Sequence, residues 1–261
     1  MGAHARSRTA SCLEDCGRRA WGDRRGFPPF PPPPHVDREG LKRQAGEAAA
    51  ALATSGMVVG LGTGSTVRYT IESLGRRVGQ GLEITGIPTS KASEELARRV
   101  GIPVSTLDEH ARVDLTIDGA DEVGPGLALI KGGGGALTRE KVVARVSRRM
   151  VAVADAAKVV AELGTTFPVP IEVVAFARRP LIEFARSLGA APTLRADASG
   201  KPFVTDNGNL IVDAKWPRIL DAHGLEAQLE SFPGVVACGL FLGLCKAAYI
   251  AEPSGVRILT H

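Results

Sequence analysis

"MVVGLGTGSTVRYTIESLGRRV", Met57 to Val78, decides the fold. Its first six residues form a short apolar run, which reads as a buried strand. The remainder reads as a helix, with Ser65 or Thr66 expected as its N-cap because a small hydroxyl accepts from the free N–H groups of a first turn. Working outward, the alternation repeats. An Ala-rich helix is expected at 39–55, stopped by Gly56. Strands are expected at "LEITGIP" (82–88), "PVSTL" (103–107), "VDLTIDGAD" (113–121), "LALI" (127–130), which runs into the glycine loop, and "RMVAVAD" (149–155). Helices are expected at "SKASEELARRVG" (90–101) and "ALTREKVVARVSR" (136–148). Near-continuous apolar strands alternating with helices indicate an α/β fold, a Rossmann-like, mostly parallel sheet with helices on both faces.

After "FPVPIEVV" (167–174) the rhythm changes. Strand, helix ("RRPLIEFARSLG"), strand ("PTLRAD"), turn, strand ("NLIVDAKW"), helix and "FPGVVACGLF" follow one another, the pattern of a smaller α+β, ferredoxin-like second domain. The final "AAYIAEPSGVRIL" (247–259) reads as a strand pair that returns to the main sheet. The expected organisation is a main domain over 39–167 and 237–261 with a second domain over 168–236.

Residues 1–38 stand apart. They hold seven Arg against four acids, a net of +3, which leaves +1 of the chain's +4 for residues 39–261. The basic character therefore belongs largely to the N-terminal stretch and gives the folded part no nucleic-acid signature. "FPPFPPPP" (27–34) favours polyproline II. The stretch lacks a secretory h-region, and Glu14, Asp15 and Asp23 count against an organelle transit peptide. A disordered tail, or a start codon placed early, is expected there. No stretch is apolar and long enough for a membrane span. Cys12 and Cys16 lie in the tail, and Cys238 and Cys245 in an apolar run without zinc spacing. Reduced thiols and a cytoplasmic setting are expected, with no structural metal.

Three polar clusters interrupt the apolar pattern where strands end, the edge at which parallel sheets bind ligands. "GLGTGST" (60–66) opens a helix and is an anion-site candidate through Thr63, Gly64, Ser65 and Thr66. It is neither a dinucleotide fingerprint, since Ser65 stands at the third Gly position, nor a Walker loop, which needs a lysine. A tight turn with a good cap is the plainer alternative. "DGADE" (118–122) sets three acids at the exit of a buried strand. A solvated turn, a Mg²⁺ or Mn²⁺ site, and hydroxyl recognition with proton movement beside Lys131 all remain open on composition. "KGGGGALTREK" (131–141) runs a lysine through four glycines to Glu140. Each glycine costs backbone entropy on ordering, so the run suits a loop that brings bare N–H groups to a ligand. Glu140 reads most plainly as a first-turn acid that complements the helix dipole; with Lys131 and those N–H groups it also completes a set that can remove a proton beside a carbonyl and hold the oxyanion. Lys158 adds a cation near the same edge.

With "IPTSKASEELA", "VAVADAAK", "FPVPIEV", "VTDNGNLIVD" and "PGVVACGLF", these motifs occur in the order found in type A ribose-5-phosphate isomerases, and residues 39–261 resemble that family. The resemblance implies a cofactor- and metal-free aldose–ketose isomerase of the non-oxidative pentose phosphate pathway, with an enediolate intermediate. It implies Glu140 as the base, and Lys131 with Gly132, Gly133 and Gly134 around the oxyanion. It implies Asp118, Gly119, Ala120 and Asp121 at the sugar hydroxyls, Asp118 also helping ring opening. Thr63 to Thr66 and Lys158 would sit near the phosphate, with Lys42 a weaker candidate there. A homodimer or homotetramer acting on a sugar phosphate is expected, with no nucleic-acid or membrane partner. Two other readings compete. A sugar-phosphate sensor would not need Glu140. A deaminase or lactonase of similar architecture would be expected to use a His, and none of the five His lies in these loops.

Overall fold

The computed structural model describes residues 37–260, so the expected tail lies, up to residue 36, outside the described residues. The first helix, α1 (Arg38–Ala50), is capped by Asp37, whose carboxylate accepts from the Gly40 N–H at 2.9 Å. It starts one residue earlier and stops five residues sooner than its Ala-rich composition suggests. Strands β1 (Met57–Leu61) and β2 (Ile84–Pro88) flank α2 (Ser65–Val78), and α3 (Lys91–Arg99) follows. Next come β3 (Val113–Gly119), β4 (Glu122–Val123), β5 (Leu129–Ile130), α4 (Leu137–Arg145) and β6 (Ser147–Asp155). A smaller unit is built from β7 (Val169–Val173), α5 (Arg178–Ser187), β8 (Ala191–Leu194), β9 (Leu210–Lys215), α6 (Ala222–Ser231) and β10 (Val235–Cys238). The chain closes with β11 (Leu240–Phe241), β12 (Cys245–Glu252) and β13 (Gly255–Thr260).

The main sheet has the order β13-β12-β6-β3-β1-β2. Its pairs are parallel except for the edge strand β13, which is antiparallel to β12. Alternation along β6 shows why both faces are covered. Val151 and Val153 pack with α1 and α2, whereas Met150, Ala152 and Ala154 pack on the opposite side with Ala144 of α4 and Phe241. The C-terminal strand pair does return to this sheet.

The four-stranded sheet has the order β10-β7-β9-β8, is antiparallel throughout, and carries α5 and α6 in a βαββαβ sequence, the ferredoxin-like arrangement. Its own core includes Ile171, Val173, Leu181, Val212 and Leu229.

Three local readings need correction. "PVSTL" is not a strand; only Val104 bridges, to Gly86, because Pro103 and the turn at 106–109 leave no length for a ladder. The cap of α2 is Gly64, at φ 134°, with no side-chain hydrogen bond, so Ser65 and Thr66 lie inside the first turn. The strand expected in "LALI" is β5, but the third sheet it joins, β11-β5-β4, was not visible in the pattern, since strands of two residues are too short for periodicity to register.

Candidate active site

The sequence order of the main sheet reverses between β1 and β3, so the loops leaving their C-terminal ends splay apart and leave a crevice. A cleft of about 320 Å³ lies there. It is lined by Thr63 to Thr66 after β1, Gly119 to Asp121 after β3, Lys131 to Gly134, Glu140, and Lys158 after β6. The positions singled out in the three motifs therefore converge, apart from Glu122, with Asp118 fully buried just beneath.

Asp118 ends β3 with one oxygen committed. Its Oδ1 accepts from the N–H groups of Thr63 at 3.0 Å and Gly119 at 2.7 Å, which ties the β1 and β3 loops together. Gly62 is required for this contact, because a Cβ there would overlap the Asp118 carboxylate. The other oxygen, Oδ2, has no hydrogen-bond partner and lies 3.1 Å from Lys131 Nζ. Lys131 Nζ donates to the Gly119 carbonyl at 2.7 Å and lies 3.3 Å from Glu140 Oε1. Glu140 Oε2 is buried and without a partner. One ammonium thus sits between two carboxyls, all three side chains 4% exposed or less.

Glu140 stands in the first turn of α4, where the helix dipole favours the ionised form. Its pKa is nonetheless pushed up to about 8, first by burial and then by the Asp118 charge, with Lys131 opposing both. Burial likewise raises Asp118 above the usual carboxylate range, against the pull of Lys131. Burial works against the Lys131 charge, but the two carboxyls beside it win and hold its pKa above the ordinary lysine value. A base with a pKa near neutrality is well matched to proton abstraction from carbon.

The glycine run has separate reasons at separate positions. Gly132 and Gly135 take φ of 110° and 80°, a region that side chains avoid. Gly133 lies flat against Asp121, whose Oδ2 accepts its N–H at 2.7 Å, and a Cβ would come within 2.6 Å of that carboxylate. Gly134 meets only Thr63 Cγ2, at 3.5 Å, and faces the cleft.

The cleft also carries cations. The first turn of α2 presents Ser65 and Thr66 to it, and Lys42, Lys158 and Arg38 line it as well. Arg38 was assigned to the tail by composition; only its place one turn before Lys42 hinted otherwise. Lys42 Nζ bonds Glu39 at 2.8 Å, and Lys158 Nζ lies 5.8 Å from the Phe167 ring centroid. The Thr63 hydroxyl turns away from the cleft. It bonds Ser90 at 2.8 Å and Thr89 at 2.9 Å. Ser65, Thr66 and the backbone therefore carry what this loop offers to an anion.

The acids of "DGADE" do not act as one group. Glu122 is fully buried. It accepts from the N–H groups of Gly164 (2.6 Å), Thr166 (2.5 Å) and Phe167 (2.7 Å) and from the Thr166 hydroxyl (2.7 Å). Its role is to pin the loop after β6. A different trio, Glu226, Glu230 and Cys238, has ligand-like spacing, but Lys141 Nζ sits among them at 2.8 Å and 2.6 Å from the two carboxylates.

Supports for the site come from the smaller unit, and pattern reading missed them. Glu172 of β7, fully buried, accepts from the Thr138 hydroxyl at 2.6 Å, two residues before Glu140. It also accepts from Thr205 at 2.9 Å, Asn207 at 3.1 Å and Asn209 at 2.9 Å, which accounts for the "VTDNGN" motif. Arg195 reaches from the end of β8 to the carbonyls of the glycine run. A lone acid or arginine in a strand pattern carries no mark of such a partner.

The ribose 5-phosphate isomerase A (phosphoriboisomerase A) family matches residues 85–255. A ribose-5-phosphate isomerase A of Rhodopseudomonas palustris is 51% identical over 225 residues, covering 84% of this chain and 97% of its own. That of Deinococcus radiodurans is 47% identical, covering 87% and 100%. Among solved structures, ribose 5-phosphate isomerase A from Methanocaldococcus jannaschii superposes with a TM-score of 0.82 at 40% identity, covering 85% of this chain and 99% of that one. A D-ribose-5-phosphate isomerase in complex with phospho-erythronic acid superposes with a TM-score of 0.84 at 39% identity, covering 85% and 99%.

Proposed function

The chain belongs to the ribose 5-phosphate isomerase A family, enzymes that interconvert ribose 5-phosphate and ribulose 5-phosphate, and from that premise we propose how its own residues carry the reaction. The observation that carries the proposal is the buried Glu140 carboxyl, with one free oxygen and Lys131 at 3.3 Å, in a cleft also lined by Lys42 and Lys158. The phosphate lies against the start of α2 with Lys158 and Lys42, which sets the sugar's C1–C2 end over Glu140. A phosphorylated sugar acid bound to a structural relative supports this class of ligand.

Glu140 takes the proton from C2 of the open-chain aldose. The C–H electron pair forms the C1–C2 double bond, and the carbonyl pair moves onto O1. Lys131 and the Gly134 N–H stabilise that oxyanion. Glu140 returns its proton to C1 while the 2-hydroxyl proton moves to O1, giving the ketose. Asp118 and Asp121 hold hydroxyls, and Asp118 assists ring opening. No step calls for a metal or organic cofactor. Isomerisation of ribose 5-phosphate by the purified protein in EDTA, and its loss in Glu140→Gln, is the direct test. A folded wild type that binds the sugar phosphate without turning it over would replace this reading with a sensor.

Three further expectations accompany the proposal. The protein works in the cytoplasm, consistent with buried free Cys238 and Cys245 and with no helix among the described residues long and apolar enough to cross a membrane. It assembles as a homodimer or homotetramer, which light scattering tests. Residues 168–236 form a distinct domain, which limited proteolysis tests.

A further inference from the structure

We propose that Arg195 is a positioning residue for this isomerisation: held by Asp213, it fixes the Gly132–Gly133 and Gly133–Gly134 peptide planes so that the Gly134 N–H is aimed into the cleft. The proposal rests on the isomerase reading above and names a part of the machinery outside the three motifs.

Arg195 Nη1 donates to the Gly132 carbonyl at 2.8 Å and to the Gly133 carbonyl at 3.1 Å. The rest of its fork is taken by Asp213 on the neighbouring strand β9, with Nε to Oδ2 at 2.8 Å and Nη2 to Oδ1. The pair is only 13% and 21% exposed. A trans peptide points its carbonyl and the following N–H in opposite directions, and no cis bond occurs here. Holding the Gly132 carbonyl toward Arg195 therefore sends the Gly133 N–H the other way, where it meets Asp121 at 2.7 Å. Holding the Gly133 carbonyl the same way sends out the Gly134 N–H. That group has no partner among the described residues, and Gly134 lines the cleft beside Lys131 and Glu140.

Four consecutive glycines have no side chains to restrict these planes; within the run the Gly135 N–H reaches back to the Gly132 carbonyl at 3.0 Å, which leaves the Gly133 carbonyl to an outside clamp. A planar, permanently charged fork gripped by a carboxylate provides it. The cation on the carbonyl side also polarises the two peptides, which strengthens their N–H groups as donors to developing negative charge.

The test compares wild type, Arg195→Lys and Asp213→Asn for kcat and KM with ribose 5-phosphate. It also measures inhibition by inorganic phosphate and by 4-phosphoerythronate, whose planar carboxylate stands in for the enediolate. Arg195→Lys is expected to lower kcat roughly 10²-fold, the scale of losing one oxyanion donor. KM and phosphate inhibition should change less than about threefold, while 4-phosphoerythronate weakens in step with kcat. Asp213→Asn should show the same pattern, smaller, and decides the matter if Arg195→Lys does not fold. A folded variant with wild-type kcat overturns the proposal. So does a loss that affects phosphate and 4-phosphoerythronate equally, since that marks a general loosening of the site. A wild type without isomerase activity sinks the underlying reading instead, so the two failures are distinct.

Discussion

Lys131 Nζ and Glu140 Oε1 meet at 3.3 Å beneath the cleft, both side chains shut off from water, yet the pair is not a simple salt bridge. The ammonium is shared with Asp118 and the Gly119 carbonyl, so Glu140 receives only part of its charge. That incomplete compensation leaves burial dominant and sets the pKa of Glu140 near 8.

The first prediction concerns rate. If ionised Glu140 is the base, kcat/KM rises with pH and levels off above about 8. Glu140→Gln should cost about 10²–10⁴-fold in kcat while leaving the sugar phosphate bound. A pH–rate profile that is flat from pH 6 to 9 would remove Glu140 from this role.

Stability carries the opposite sign. The folded pKa of Glu140 exceeds its unfolded value of 4.5, so the folded state binds the proton more tightly. Its contribution is complete below about 4.5 and is lost as pH rises through about 8. Burial of Asp118 acts in the same direction. Urea midpoints should therefore decline across this window, and Glu140→Gln should flatten the decline. An equally steep decline in the variant would contradict the assignment.

Lys131→Met removes the charge between two carboxyls. We expect kcat to fall about 10²–10³-fold. We also expect the Glu140 ionisation to move to higher pH, because its one opposing cation is gone. A lowered rate with an unmoved profile would show that Lys131 acts on substrate alone.

Among the cations of the cleft, Lys158→Ala should raise KM and weaken inorganic phosphate inhibition by about 10-fold, the scale of one charged hydrogen bond. Its kcat should be nearly unchanged. A drop in kcat at constant KM would place Lys158 at the reacting carbons.

Glu122→Gln tests the third acid of "DGADE". The variant should lose about 1–3 kcal/mol in stability as buried donors from Gly164 to Phe167 lose a carboxyl acceptor. Added Mg²⁺ or Mn²⁺ should not restore it. Restoration by either ion would make Glu122 a metal ligand after all.

The α/β architecture was legible because strand and helix periods alternate over long segments, and because polar motifs fell at strand exits, where such sheets bind ligands. The residues proposed to react were singled out for the same reason, helped by a family resemblance. What escaped depended on contacts distant in the chain. Nothing near Glu172 announces Thr138, and nothing near Arg195 announces Gly132. Arg38 was hidden by its neighbours' composition. Glu122 looked like a partner of Asp118 because they are close in sequence, but they bind different loops, Asp118 the one after β1 and Glu122 the one after β6. The tension over Glu140, dipole against burial, was likewise settled only by its packing.

Strands β6 and β12 lie side by side in the main sheet, yet all of residues 156–244 intervene between them. The chain therefore leaves the sheet, builds the whole ferredoxin-like unit, and comes back to the same place. Zipping β12 onto β6 requires closing that entire loop, and a compact intervening unit brings its ends together in advance. Long-range parallel pairing of this kind is slow. Refolding is thus expected in two phases, with the smaller sheet's core formed early and the C-terminal hairpin docking last. Enzyme activity, which needs the glycine run pinned from the smaller unit's side, should return only with the second phase.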